Sequence, residues 1–154
     1  MKIIAVSDTH GSLVAMDQVL SKHRNADIVV HCGDSQTGIE NIKLSHPHHT
    51  YVSVCGNCDF YTMYKDIEEF TAEGVRFFVT HGHRFGVKFG LKELRDAARE
   101  RGAGVVIFGH THVAMNEYRD GIWFVNPGAC RGSHAPFAVI EVKNGEILTN
   151  LAHL

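Results

Sequence analysis

The sequence predicts an α/β domain, and three observations carry that expectation. Short β-branched runs alternate with segments of helical spacing, five of the apolar runs empty directly into glycine and polar residues, and two-residue Asx-Gly turns punctuate the C-terminal third.

The first run, Lys2 to Val6, ends in Ser-Asp-Thr-His-Gly, and residues 13–23 then place Leu13, Met16 and Leu20 on one helical face. Residues 27–31 form an apolar strand that stops at Cys32-Gly33-Asp34, with a short helix expected around residues 38–44. Residues 51–55 repeat the theme and end at Gly56-Asn57-Cys58-Asp59. Residues 66–71 and 75–80 flank Glu73-Gly74 as a hairpin whose second arm runs into His81-Gly82-His83. Residues 91–101 read as a helix stopped by Gly102, and residues 105–108 as a strand leading into Gly109-His110-Thr111-His112. Beyond it, Asp120-Gly121 and Asn144-Gly145 predict a β-meander. No linker, repeat or low-complexity tract interrupts the pattern, so residues 1–154 are expected to form a single domain.

With 154 residues, 44% of them hydrophobic and 21% charged, the chain can bury a real core, which excludes disordered and fibrous classes. A net charge of -2 offers no basic stripe for a phosphate backbone or an anionic membrane, so no dedicated nucleic-acid or membrane partner is expected. The N-terminus turns polar at Ser7-Asp8, short of the apolar core of a secretory signal, and no long apolar run follows. The expected location is the cytoplasm, where Cys32, Cys55, Cys58 and Cys130 stay reduced. A homo-oligomer is compatible with the sequence, which shows no face that a copy must cover.

Histidine is the outlier, at 12 residues. The five strand ends carry Asp8 and His10, Asp34, Asn57, His81, and His110 with His112, and parallel strands would bring them to one rim, where ligands of α/β sheets collect. Two carboxylates, one carboxamide and four imidazoles suit first-row divalent ions without needing a thiolate. Seven donors exceed one tetrahedral site but fit two ions about 3.5–4 Å apart with a bridging carboxylate, for which Asp34 is the natural choice. Two divalent ions against two carboxylates leave positive charge for a hydroxide and an anionic phosphoryl group. Side chains two apart in a strand face opposite ways, so the Asp8/His10 and His110/His112 pairs must lie in sharp turns, which the neighbouring Gly11, Gly33, Gly56, Gly82 and Gly109 permit.

In order and spacing, Asp8-Thr9-His10, Gly33-Asp34, Gly56-Asn57-Cys58-Asp59, His81-Gly82-His83 and Gly109-His110-Thr111-His112 resemble the calcineurin-like metallophosphoesterase family over nearly the whole chain. The pattern looks most like its small, cap-less prokaryotic phosphodiesterases. The resemblance implies a four-layer α/β/β/α sandwich with two mixed sheets flanked by helices. It also implies two divalent cations, manganese foremost, with iron, zinc, nickel or cobalt as alternatives. Asp8, His10 and His112 would hold the first, Asn57, His81 and His110 the second, and Asp34 both. The implied reaction is in-line hydrolysis of a small phosphoester, a phosphodiester first, by a hydroxide bridging the ions.

Cys58 stands where many members of that family carry a histidine, and a neutral thiol is a poor proton donor beside an imidazolium. This departure favours diesters and good leaving groups over alkyl monoesters. Asn57, Cys58 and Asp59 are therefore the candidate catalytic loop, with Asp59 orienting it, and Asn57, His83 and Arg131 the candidate substrate contacts. Taken singly, these residues have plainer readings: His31 as a satisfied core histidine, His46, His48 and His49 as a solvated loop, Asn126-Pro127-Gly128 as a turn. Cys55 and Cys58 have redox spacing but directly follow a strand and lack a partner pair. The rival functions are a phosphomonoesterase of the same fold and a non-enzymatic scaffold with a vestigial metal site, with a nuclease weaker still.

Overall fold

Strand β1 (Lys2–Val6) shows how alternation builds the layers: Ile3 and Ala5 point into one apolar cluster, Ile4 and Val6 into another, and all four are fully buried. The structure is a computed structural model that describes residues 1–60 and 62–154. β1 lies at the centre of a five-stranded sheet. It pairs in parallel with β2 (Ile28–His31), which pairs in parallel with β3 (Thr50–Ser53).

The second sheet begins with the hairpin β4 (Ile67–Ala72) and β5 (Val75–Thr80), whose turn residues Glu73 and Gly74 both have positive φ, as a primed turn requires. Parallel to β5 runs β6 (Val105–Ile107), and parallel to β6 runs β8 (Ile122–Asn126), with β7 (Met115–Arg119) antiparallel at the edge.

The C-terminal meander expectation is corrected here. Its turns form as expected, each with positive φ at Asp120-Gly121 and Asn144-Gly145, but the two hairpins join different sheets. β7–β8 completes the second sheet, whereas β9 (Pro136–Lys143) pairs antiparallel with β1 and β10 (Glu146–His153) adds the outer edge of the first. A turn signal says which strands are neighbours in sequence; which sheet they enter depends on the crossover after Asn126, where the Cys130 amide donates to the Ser7 carbonyl at 2.8 Å.

Between the sheets lies an inner apolar layer containing Phe77, Val79, Val105, Ile107 and Val125. Helices α1 (Val14–Lys22) and α2 (Glu40–Ser45) cover the outer face of the first sheet through Met16, Val19, Leu20 and Ile42. Helix α3 (Lys92–Glu100) covers the second through Leu94 and Ala98. The result is the α/β/β/α layering expected from the family pattern. Among the described residues no helix is long and apolar enough to cross a membrane. The His46 to His49 loop is less solvated than expected, because His49 is buried with Nδ1 2.7 Å from the Ala26 carbonyl and His46 meets Asp17 at 2.9 Å.

Candidate metal centre

Parallel pairing of β1, β2 and β3 in one sheet, and of β5, β6 and β8 in the other, sends six carboxyl ends toward one rim. The two sheets meet there: the Asp8 Oδ2 carboxylate after β1 accepts the His110 backbone N–H after β6 at 3.2 Å. Asp8, His10, Asp34, His110 and His112 themselves adopt left-handed backbone, with φ between 46° and 68°. Among the described residues these are five of the nine non-glycine residues of positive φ, and such strain concentrates where surrounding structure forces side chains to a functional point. The expected turns are therefore present, with the donor residues and not only their glycines making them.

Gly56 and Gly109 serve differently. Neither has positive φ, yet a Cβ on Gly56 would run into the Asp34 carboxylate and one on Gly109 into Ser7 Oγ and Asp8 Oδ2. Only glycine lets these strands approach the two carboxylates so closely.

Three donor groups assemble, each with its ligand atoms within 4.8 Å of one another: Asp8, His10 and His112; Asp8, Asp34 and His81; and His10, Asp34 and Cys58. Asp8, His10 and Asp34 are thus each shared between two groups, and Cys58 joins His10 and Asp34 where the family pattern assigned no metal ligand. Asn57 Oδ1 lies 3.2 Å from His81 Nε2. His110 stands slightly apart from the three groups, its ring edge-on to His81 with centroids 5.0 Å apart.

Two features fit these residues to cations. Asp8 Oδ1 is buried without a hydrogen-bond partner although His112 Nε2 is 3.1 Å away and His10 and His81 Nε2 are each 3.9 Å away. His10 and His112 also point Nε2 at Nε2 across 3.2 Å, which suits a shared cation better than two lone pairs. His81 is preset by its other nitrogen: Nδ1–H donates to the Cys32 carbonyl at 2.7 Å, which turns Nε2 toward Asp34 and Asn57.

The electrostatics follow from burial opposed by neighbours. Burial pushes the Asp34 carboxyl up, but hydrogen bonds from His81 and the Cys58 amide outweigh it and hold the group well below the usual carboxylate range. Burial pulls His81 down, yet the hydrogen bond with Asp34 and the charges of Asp8 and Asp34 leave it raised. His110, desolvated and beside His81, falls to about 4. His83, partly buried with its ring 5.4 Å from His81, is also lowered by desolvation and by His81.

Asp59 organises the rim. Oδ2 accepts the Asp34 amide at 2.7 Å and the Gly56 amide at 2.8 Å, while Oδ1 accepts the Gln36 amide at 2.6 Å and lies 3.3 Å from Ser35 Oγ. Arg131 is exposed and its guanidinium makes no hydrogen bond or ion pair with the described residues; its amide bonds Ala129. Cys55 Sγ donates to Asp66 and Cys58 Sγ accepts from Asn57, so the two thiols stay free and separately engaged.

Two supports escaped sequence reasoning. Fully buried Asn126 donates to the Gly109 carbonyl and to Thr111 Oγ1 and accepts the Gly128 amide, clamping the Gly109-His112 loop; its Asn-Pro-Gly signature was visible but read as a turn. His31 accepts the Gly33 amide at Nδ1 and reaches Thr9 Oγ1 through Nε2, tying together the loops that carry Asp8 and Asp34. No spacing rule marked that role.

Burial lowers the His31 imidazole to about 4, well below the 6.5 of a free histidine. Its folded pKa lies below its unfolded one, so the stability it confers is complete above 6.5 and lost as pH falls through the folded value. The difference amounts to about 3 kcal/mol once both forms are protonated. Metal-stripped protein should therefore lose thermal stability between pH 7 and pH 4, and His31→Gln should flatten that slope in calorimetry. An equally steep slope in the variant refutes the assignment.

A family model described as the calcineurin-like phosphoesterase superfamily domain matches residues 1–145. A Bacillus subtilis protein named probable metallophosphoesterase YsnB is 37% identical over 133 residues, covering 85% of this chain and 76% of that one. A phosphodiesterase of Methanocaldococcus jannaschii is 30% identical, covering 95% and 94% of the two chains. Among solved structures, Vps29 of Entamoeba histolytica superposes with a TM-score of 0.79 at 19% identity, covering 100% of this chain and 99% of its own, a likeness of fold alone.

Proposed function

This chain belongs to the calcineurin-like phosphoesterase superfamily, and from that premise we propose that it hydrolyses phosphodiesters with two divalent cations, manganese foremost. Asp8, His10 and His112 would hold one cation, Asn57, His81 and His110 the other, and Asp34 both. The observation that supports this most strongly is the sharing of Asp8 and Asp34 among donor groups that also leave Asp8 Oδ1 without a hydrogen-bond partner. When bound, the cations supply what the side chains lack: a water acidified into the neutral range and positive charge opposite the phosphoryl oxygens.

The chain's own residues do the rest. The Cys32 carbonyl keeps the His81 ring turned with Nε2 inward, and Asp59 holds the Asp34 and Gly56 amides so that the two loops keep their spacing. Asn57 projects its carboxamide at the exposed mouth, with the amide nitrogen available to a phosphoryl oxygen. His83, neutral at pH 7, and exposed Arg131 would serve as further substrate contacts. Burial, then the Asp34 carboxylate, pushes the Cys58 thiol up, so it stays protonated and offers no strong acid to an alkoxide leaving group. Diesters with stable leaving groups are the substrates that this arrangement serves.

The test is hydrolysis of bis(p-nitrophenyl) phosphate and p-nitrophenyl phosphate by manganese-loaded protein, with metal content measured in parallel. Faster diester cleavage is expected. No cleavage with any divalent ion would return the molecule to the scaffold reading, and faster monoester cleavage to the phosphomonoesterase. Cys58→His should raise the monoester to diester ratio by about tenfold or more, a modest share of what general acids contribute. An unchanged ratio rejects the role given to Cys58.

A further inference from the structure

We infer that the groove beside the metal centre receives a flat, uncharged aromatic group, such as a nucleobase, carried on one ester arm of the substrate. The inference rests on the phosphodiesterase reading and goes beyond it by naming the arm.

The groove encloses about 370 Å³, within the ~300–1,000 Å³ usual for small-molecule sites, and is lined by Gln36, Gly38, Glu40, Phe60, Met63 and Tyr64 among others. Phe60 is 77% exposed and Met63 99% exposed, so two large apolar side chains stand in solvent with nothing from this chain covering them among the described residues. Leu44 and Phe89 are comparably exposed, but they do not line this groove. Phe60 and Met63 sit on the loop that starts at Asp59, directly beside the donors.

The groove and the metal centre are continuous. Gln36 belongs to both: its carboxamide lies 3.2 Å from His10 Nδ1, its amide is fixed by Asp59, and its side chain lines the groove. Cys58, two residues before Phe60, stands in the His10 and Asp34 donor group. An ester arm leaving a phosphorus atom held at those donors therefore enters between Gln36 and Phe60.

The lining also selects by charge and shape. Its lining holds one carboxylate, Glu40, which Lys43 Nζ pairs at 3.0 Å, so no cation is left free there to hold a second phosphate on the arm. The Tyr64 hydroxyl donates to Glu40 at 2.6 Å, and Lys43 lies 5.3 Å from the ring centroid, so the ring is held in place as a wall. Phe, Tyr and Met together make a stacking surface for a planar π-system.

The experiment uses the manganese-loaded full chain for rates and metal-free protein bearing carbon-13 methionine methyl groups for binding. Thymidine 5′-(p-nitrophenyl phosphate) and methyl p-nitrophenyl phosphate share a leaving group and differ in the arm. The thymidine ester should be preferred about tenfold, through KM, a typical scale for one stacked base. Phe60→Ala and Met63→Ala should bring that preference close to one. Independently of turnover, thymidine 5′-(methyl phosphate) should shift the Met63 methyl resonance upfield by ring current, whereas dimethyl phosphate should not. An unmoved Met63 resonance, or a preference that survives both substitutions, overturns the groove. If the resonance moves but neither diester is cleaved, the groove stands as a binding site and the phosphodiesterase reading falls.

Discussion

Asp34→Asn is expected to cost at least about a thousandfold in phosphodiester hydrolysis, equivalent to ~4 kcal/mol of transition-state stabilisation. Asp34 belongs to two of the donor groups, one with Asp8 and His81 and the other with His10 and Cys58. Its Oδ2 lies 3.5 Å from His81 Nε2 and 3.9 Å from His10 Nε2, and Oδ1 takes the Cys58 amide at 2.8 Å. An amide of the same shape preserves most of the packing but removes the negative charge that would offset the proposed cations, and presents N–H where they would need a lone pair. Metal analysis of the purified variant should show fewer ions per chain, while circular dichroism remains that of the parent. Full metal content with full activity would dismiss Asp34 as the shared ligand.

Asp59→Asn should produce the largest loss of stability, about 2–4 kcal/mol, with a 10- to 100-fold weakening of metal affinity. Three backbone amides, those of Gln36, Asp34 and Gly56, converge on one carboxylate at 2.6–2.8 Å. Charge-assisted bonds of this length are about twice as strong as neutral ones. Asparagine can accept on one side only, so its amide N–H₂ must face at least one backbone donor and leave it unsatisfied. Thermal melts of the metal-free variant read the stability term, and manganese titration reads the affinity. If the melting point holds and only affinity changes, Asp59 binds an ion directly and is not the brace of the loop.

The legibility of this molecule divides along physical lines. Hairpin turns were readable because Glu73-Gly74, Asp120-Gly121 and Asn144-Gly145 need local backbone of positive φ, a property that short sequences encode. Sheet membership was not, since the crossing from β8 to β9 depends on contacts such as Cys130 to Ser7, far apart in sequence. The convergence of Asp8, His10, Asp34, His81 and His112 followed from strand ends and parallel pairing, both of which leave periodic traces. The braces did not: His31 looks like any apolar-strand histidine, and Gln36 has no motif, because each acts through hydrogen bonds to residues far away in sequence. Cys58 was recognised as a departure, but its proximity to His10 and Asp34 emerges only in three dimensions.

The bond from the His110 amide to the Asp8 carboxylate spans the two sheets at that rim, as does the bond from His81 Nδ1 to the Cys32 carbonyl. If the proposed cations occupy these donor groups, each would be held by residues of both sheets, Asp8 with His112 and Asp34 with His81, so that separating the layers would open both cages.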